Sequence, residues 1–302
     1  MMVIENEVFL KAYLQDRQKI VEEALEQYLP GEDNIPAEIY KAVRYSVFNG
    51  GKRIRPVLCL AAAEAVGGDL GSAIPVACAL ELIHSYSLIH DDLPAMDNDD
   101  LRRGKPTCHK VFGENIAILA GDALLTEAFV LLSHVEKVRL SAERRLAVIQ
   151  EIAQAAGIFG MVGGQALDVL SGKSVSDEGT LYEIHRRKTG ALIVAAVKSG
   201  AIIFNARKDK IQALAEYGIN VGLAFQMADD ILNVEGDREL MGKETGSDVA
   251  HNKLTYPSLL GLDLAKEKLA KYIDAAEASL SDFDERARPL LVIARYIMER
   301  KS

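Results

Sequence analysis

Residues 72–93 read SAIPVACALELIHSYSLIHDDL, and the fold turns on how this stretch is read. Wound at 3.6 residues per turn it is apolar nearly all the way round, as a helix surrounded by other helices has to be. Residues 191–204 have the same character. Elsewhere apolar residues return at spacings of three and four, as in Ile20, Ala24 and Tyr28, in Ile211, Leu214, Ala215 and Ile219, and in Leu290, Ile293, Ala294 and Ile297. That is the stripe of a helix with one buried face. Strict alternation of Val, Ile and Thr is scarce, and Asn49-Gly50 is the one hairpin-type dipeptide met beside such runs. The expectation is an all-α chain, a large bundle with central helices.

Glycine and proline divide the pattern into about ten segments, at Pro30-Gly31, Gly50-Gly51, Gly67-Gly68, Pro94, Gly163-Gly164 and Gly242 to Gly246 among others. No composition shift or fixed-period repeat separates two halves, so residues 1–302 are expected to form a single domain. A hydrophobic share of 49% provides a large core, and a net charge of -9 argues against a nucleic-acid partner. The first thirty residues carry charges throughout, and no stretch reads as 18 charge-poor apolar residues, so neither export nor membrane insertion is expected. Cys59, Cys78 and Cys108 lack metal or disulfide spacing and point to idle thiols in a reducing cytoplasm.

Two acidic stretches carry the chemistry: DDLPAMD at 91–97 and DDILN at 229–233. One acidic cluster is ordinarily a solvated turn; two, each entered from an apolar helix, favour a cation site. Asp229 and Asn233 are four apart and share a helix face, with Asp230 beside them. Asp91 and Asp97 are six apart and diverge on a straight helix. Pro94 resolves this, since it stops the helix near Leu93 and lets Asp97 fold back. Mg²⁺ takes one or two such carboxylates and completes its shell with water and phosphate oxygens, so the pairing points to Mg²⁺ with a diphosphate. Basic residues in GGKRIRP (50–56), LRRGKPTCHK (101–110), HRRKTG (185–190) and GKETGSDVAHNK (242–253) are each a solvated face when taken alone. Together they offer phosphate donors. EF-hand, P-loop, GxSxG and HExxH patterns all fail on residue identity.

With GGQALD and FQMADDILN added, these motifs in this order resemble those of the trans-isoprenyl diphosphate synthases, in their bacterial farnesyl diphosphate group. The resemblance runs from about residue 45 to 260. It implies one bundle of mostly antiparallel helices around a central cavity, a homodimer, and Mg²⁺, three ions with substrate bound. The implied reaction condenses isopentenyl diphosphate with dimethylallyl and then geranyl diphosphate. Carried over by motif, Asp91, Asp97 and Asp229 bind Mg²⁺, with Asp92 and Asp230 supporting. Arg102, Lys188, Thr189, Gln226, Lys243 and Lys253 hold the allylic diphosphate, and Lys52, Arg55, His84 and Arg103 hold isopentenyl diphosphate. Gln165 and Asp168 line the cavity. Tyr86, with Ser87 beside it, lies under the growing chain, where a bulky ring suits a farnesyl rather than a geranylgeranyl product. Lys52, Arg55 and Arg103 argue against a terpene cyclase, and the presence of both acidic stretches argues against a non-catalytic subunit. Asn233 departs from the family pattern, which has a third Asp there, and implies weaker metal binding.

Overall fold

A computed structural model describes residues 2–134, 136, 140–171, 177–235 and 254–299. Helices dominate: α1 (Met2–Tyr28), α2 (Ala37–Val47), α3 (Ile54–Ala65), α4 (Leu70–Asp91), α5 (Cys108–Phe112), α6 (Glu114–Ser133), α7 (Ala142–Ala156), α8 (Met161–Ser171), α9 (Glu178–His185), α10 (Ala191–Ile203) and α11 (Lys208–Glu235). After a gap in the description come α12 (Tyr256–Leu260), α13 (Leu262–Ser279) and α14 (Arg288–Glu299). The all-α expectation holds, with one small addition. Leu101–Arg102 (β1) and Lys105–Pro106 (β2) pair antiparallel, a hairpin too short for alternation to announce.

The apolar-all-round stretches occupy the centre. α4 packs on α3, α6 and α10, while α10 also meets α3, α7 and α11. Leu80, Ile83, Ala195, Ala196 and Val197 are wholly inaccessible to solvent. Local chemistry sets the helix ends. Asp69 accepts from the Ser72 amide at 2.9 Å and opens α4, and a reciprocal capping box between Thr255 and Ser258 opens α12.

The expectation that no stretch could span a membrane is corrected. Leu70–Asp91, Glu114–Ser133 and the Ala142–Ser171 stretch are each long and apolar enough by length and composition. The physical reason is that a helix buried among helices needs the same composition as one buried in lipid. Burial separates the three: 72% of the α4 window lies inside the protein, against 39% for α6 and 33% for the Ala142–Ser171 stretch. Ile118, Leu119 and Val130 of α6 and Ile158 and Phe159 after α7 face outward.

Candidate active site

α4 stops at Asp91, as Pro94 requires, and the chain doubles back. The Asp97 amide donates to the Asp91 carbonyl at 2.9 Å, and Asn98, at φ 53°, completes the turn onto the Leu93 carbonyl at 3.1 Å. The six-residue spacing is thereby closed, with Asp91 and Asp97 both half-buried. Burial pushes the Asp91 carboxyl up to about 6; Lys188 and Arg102 pull against it, and Asp97 and Asp92 push with it.

The hairpin that follows separates two neighbouring arginines. Arg103 and Gly104 form its two-residue turn with φ 55° and 76°, the type I′ geometry that matches strand twist. Arg102, in β1, turns its guanidinium onto buried Asp92, with Nε 2.7 and 2.8 Å from the two carboxylate oxygens. Arg103 instead donates to the Gly50 carbonyl. Asp99 and Asp100 serve the hairpin: Asp99 carbonyl accepts from the Thr107 hydroxyl at 2.8 Å, and Asp100 pairs with Lys110 at 2.7 Å.

Lys188 belongs to a five-residue π-helical turn, Arg186–Gly190, between α9 and α10. A Cβ on Gly164 would collide with the Lys188 main chain, and one on Gly222 with Gly190, so α8 and α11 clamp this turn between two glycines. The Lys188 ammonium lies 2.6 Å from Asp168. Burial works against its charge, but Asp168, Asp91 and Asp97 outweigh that and raise its basicity. The first acidic stretch, the GGQALD helix and the HRRKTG turn therefore meet at one ammonium. Thr189 Oγ1 donates to Gln226 Oε1 at 3.0 Å, which ties the turn to α11.

On α11, Asp229 and Asn233 are half-buried, and Asp229 lies close enough to Arg55 to support its charge. Asp230 points elsewhere. It accepts from the Tyr256 amide at 3.1 Å and from Gln226 at 3.4 Å, and lies 3.8 Å from His185. Asp168, His185, Lys188, Gln226, Asp230 and Thr255 line one recess. Burial pulls His185 down to about 3, so it is neutral there.

His84 sits in a cationic neighbourhood. Burial first, then Arg55, Arg103, Arg102 and Arg53, hold it well below its usual pKa. Of the residues expected at the second diphosphate, His84, Arg55 and Arg103 are thus brought together. Lys52 is exposed and lines a separate recess with Leu14, Ile54, Phe225 and Tyr296. Tyr86 is buried, with its ring edge-on to His90 at 5.8 Å, and the Ser87 hydroxyl donates to the His84 carbonyl at 2.8 Å. Lys243 and Lys253, and the Gly236–His251 segment with them, lie outside the described residues.

Among the described residues no three His, Cys, Asp or Glu side chains converge as a finished metal cage. Hard oxygen donors that repel one another, as Asp91, Asp92 and Asp97 do, nevertheless suit Mg²⁺ that brings water and phosphate oxygens of its own. Arg53, in sequence one of the basic residues of GGKRIRP, instead forms a buried ion pair at 2.7 Å with Glu81, a residue that no motif singles out. A signal existed: a lone acidic residue within an apolar-all-round helix requires a buried partner.

The polyprenyl synthetase family model matches residues 36–288. The chain is 48% identical to a farnesyl diphosphate synthase of Geobacillus stearothermophilus, over 96% of this chain and 98% of that one. It is 45% identical to a geranylgeranyl diphosphate synthase of Cyanophora paradoxa, over 97% of both. The solved structure of an FPP/GFPP synthase from Zymomonas mobilis superposes with a TM-score of 0.88 at 41% identity, covering 96% of this chain and 99% of that one.

Proposed function

The chain belongs to the polyprenyl synthetase family, and from that premise we propose that it is a farnesyl diphosphate synthase with the following division of labour. The observation that carries the reading is the meeting of Asp91, Asp97 and Lys188 on one side of a site whose other side gathers Arg55, Arg103 and His84. One half suits a diphosphate that must leave, and the other a diphosphate that must only be held.

Asp91, Asp97 and Asp229 would hold Mg²⁺, three ions with substrates bound, with Asp92 and Asp230 supporting them. When bound, Mg²⁺ supplies charge neutralisation for the departing diphosphate. Lys188, Thr189, Gln226 and Arg102, with Lys243 and Lys253, bind the allylic diphosphate. Arg102 reaches it by exchanging its present partner Asp92, whose carboxylate keeps the guanidinium oriented until then. The allylic C1–O bond breaks with its electron pair going to the leaving diphosphate. The double bond of isopentenyl diphosphate, oriented by Lys52, Arg55, His84 and Arg103, then attacks C1. A proton leaves the adjacent carbon to the diphosphate released in the first step. Asp168 holds the Lys188 ammonium in place throughout.

The outward apolar face of α6 supports a homodimer and accounts for membrane-grade composition without a membrane. Three buried free thiols support a cytoplasmic location. The test is incubation of purified protein with isopentenyl and dimethylallyl diphosphates and Mg²⁺, followed by dephosphorylation and identification of the prenyl alcohols. Farnesol is expected as the main product. A geranylgeraniol majority would replace the chain-length assignment, and absence of any condensation product would overturn the enzyme reading. Tyr86→Ala is expected to lengthen the product, because it opens space beside His90; an unchanged profile removes Tyr86 from chain-length control.

A further inference from the structure

The cationic half of the site is organised around a carboxylate that touches neither substrate in the scheme above. We propose that Glu81 is a positioning residue: through Arg53 it fixes the loop before α3, and by its charge it seats Arg55 and Arg103 around His84, so that the isopentenyl diphosphate site is formed before substrate arrives. The assignment of that ligand rests on the proposed function.

Arg53 is the N-cap of α3 and has left-handed backbone angles, φ 49° and ψ 37°, which a side chain bearing a Cβ adopts only at a cost. It follows Gly50 and Gly51, at φ 83° and 125°, so three of the four residues before α3 have positive φ. What holds Arg53 there is its own guanidinium, whose side chain is 1% exposed. Nη1 donates to Glu81 Oε1 and Nη2 to the Val47 carbonyl, both at 2.7 Å, while Nε is 3.5 Å from Glu22. Arg53 thus points inward between Lys52, which is exposed, and Arg55, whose charge acts on His84. Releasing Arg53 releases both flanking cations.

Glu81 acts beyond that hydrogen bond. It lies on α4 three residues before His84, on the same face, with its side chain 2% exposed. Burial lowers the basicity of Arg55 and of Arg103, and Glu81 is the foremost group opposing that loss in each. Its Oε2 accepts no hydrogen bond among the described residues, so this part of its charge acts on the guanidinium groups through space. A single buried anion among three arginines offsets the repulsion that would otherwise keep them apart. A buried ion pair by itself is weak grounds for a stability role, since apolar pairs of similar volume often do as well. Its position, one turn from His84 and shared among three cations, points to the ligand instead.

The sign of one measurement separates positioning from bulk electrostatics. Removing a negative charge near a bound diphosphate should tighten binding if charge alone matters; loosening the loop should weaken it. In Glu81→Gln, KM for isopentenyl diphosphate is expected to rise about tenfold, the loss of one charge-assisted contact, with KM for geranyl diphosphate changed less than about twofold. Arg53→Lys keeps the charge and should show a smaller rise in the same KM. A fall or no change in that KM, or an equal rise for both substrates, overturns the proposal. Should Glu81→Gln fail to fold, the double variant Arg53→Met with Glu81→Leu removes both members of the buried pair, and the same selective rise is required of it. Wild-type enzyme runs alongside. If it makes no product, the family reaction fails and the assignment falls with it; if it turns over and the variants keep wild-type KM values, only the Glu81 assignment fails.

Discussion

Asp91 and Asp97 sit where a helix has been stopped; Asp229 and Asn233 sit where one runs on. In the first stretch the backbone does the converging, through Pro94 and the return of the Asp97 amide to the Asp91 carbonyl. In the second, helix periodicity sets the spacing, and the intervening Asp230 is turned away to hold the start of α12. The difference teaches that adjacent carboxylates need not share a job. Asp91 is crowded and raised by burial, whereas Asp230 is settled by hydrogen bonds from a main-chain amide and a glutamine.

The largest expected effect tests whether the two stretches are equal partners in turnover. Asp91→Asn and Asp229→Asn should each reduce kcat by on the order of 10³, the cost of losing one preorganised group at a developing charge. They should part in thermal unfolding at pH 7. Asp91→Asn removes a half-buried charge whose pKa burial raises to about 6 and should raise the Tm, while Asp229→Asn should leave it nearly unchanged. Equal Tm shifts would erase the distinction between the stretches.

Asp230→Ala should reverse that balance. It orphans the Tyr256 amide and frees Gln226, a loss of about 1–3 kcal/mol of stability by thermal denaturation, with a smaller fall in kcat than in Asp229→Asn. A kcat loss matching that of Asp229→Asn with unchanged Tm would put Asp230 among the metal ligands.

Beneath the second stretch, His185 supplies a pH signature. It is neutral in the folded protein down to about 3 but titrates near 6.5 when unfolded. The unfolded state therefore binds the extra proton, and stability falls as pH drops from about 6.5 toward 3, by up to about 1.4 kcal/mol per pH unit. His185→Gln should flatten this decline by one proton in Tm measurements between pH 4 and 7. An unaltered slope would show that His185 is already protonated in the folded state. The smallest effect belongs to Asn233→Asp, which adds the charge missing from the second stretch and should lower the Mg²⁺ concentration for half-maximal rate; no change or a rise would remove Asn233 from metal binding.

Pro94 made the helix stop legible from sequence, because proline has a local and unambiguous effect on the backbone. The apolar stretches 72–93 and 191–204 likewise disclosed their central position, since only burial on all sides explains such composition. Arg53 was not legible as distinct from Lys52 and Arg55: three cations in four residues look alike until a left-handed residue turns one of them inward. The hairpin at 101–106 escaped because strands of two residues carry no period. Lys188 was legible by motif as a candidate phosphate donor, but its π turn was not, for an i to i+5 hydrogen-bond pattern leaves no spacing signature in the residues it contains.

That turn has a consequence for how this chain tolerates change. A π turn is one residue longer than the α turn it replaces, so the run from α9 into α10 carries what is in effect a built-in insertion. Deleting a residue from 186–190 would give a more regular helix, and shortening usually reads as harmless. Here every residue upstream of the cut would rotate by about 100° relative to α10. Length therefore matters in this segment alongside the identities of Lys188 and Thr189, and a deletion library across it should show a sharper loss of turnover than a substitution library at Arg186 or Arg187.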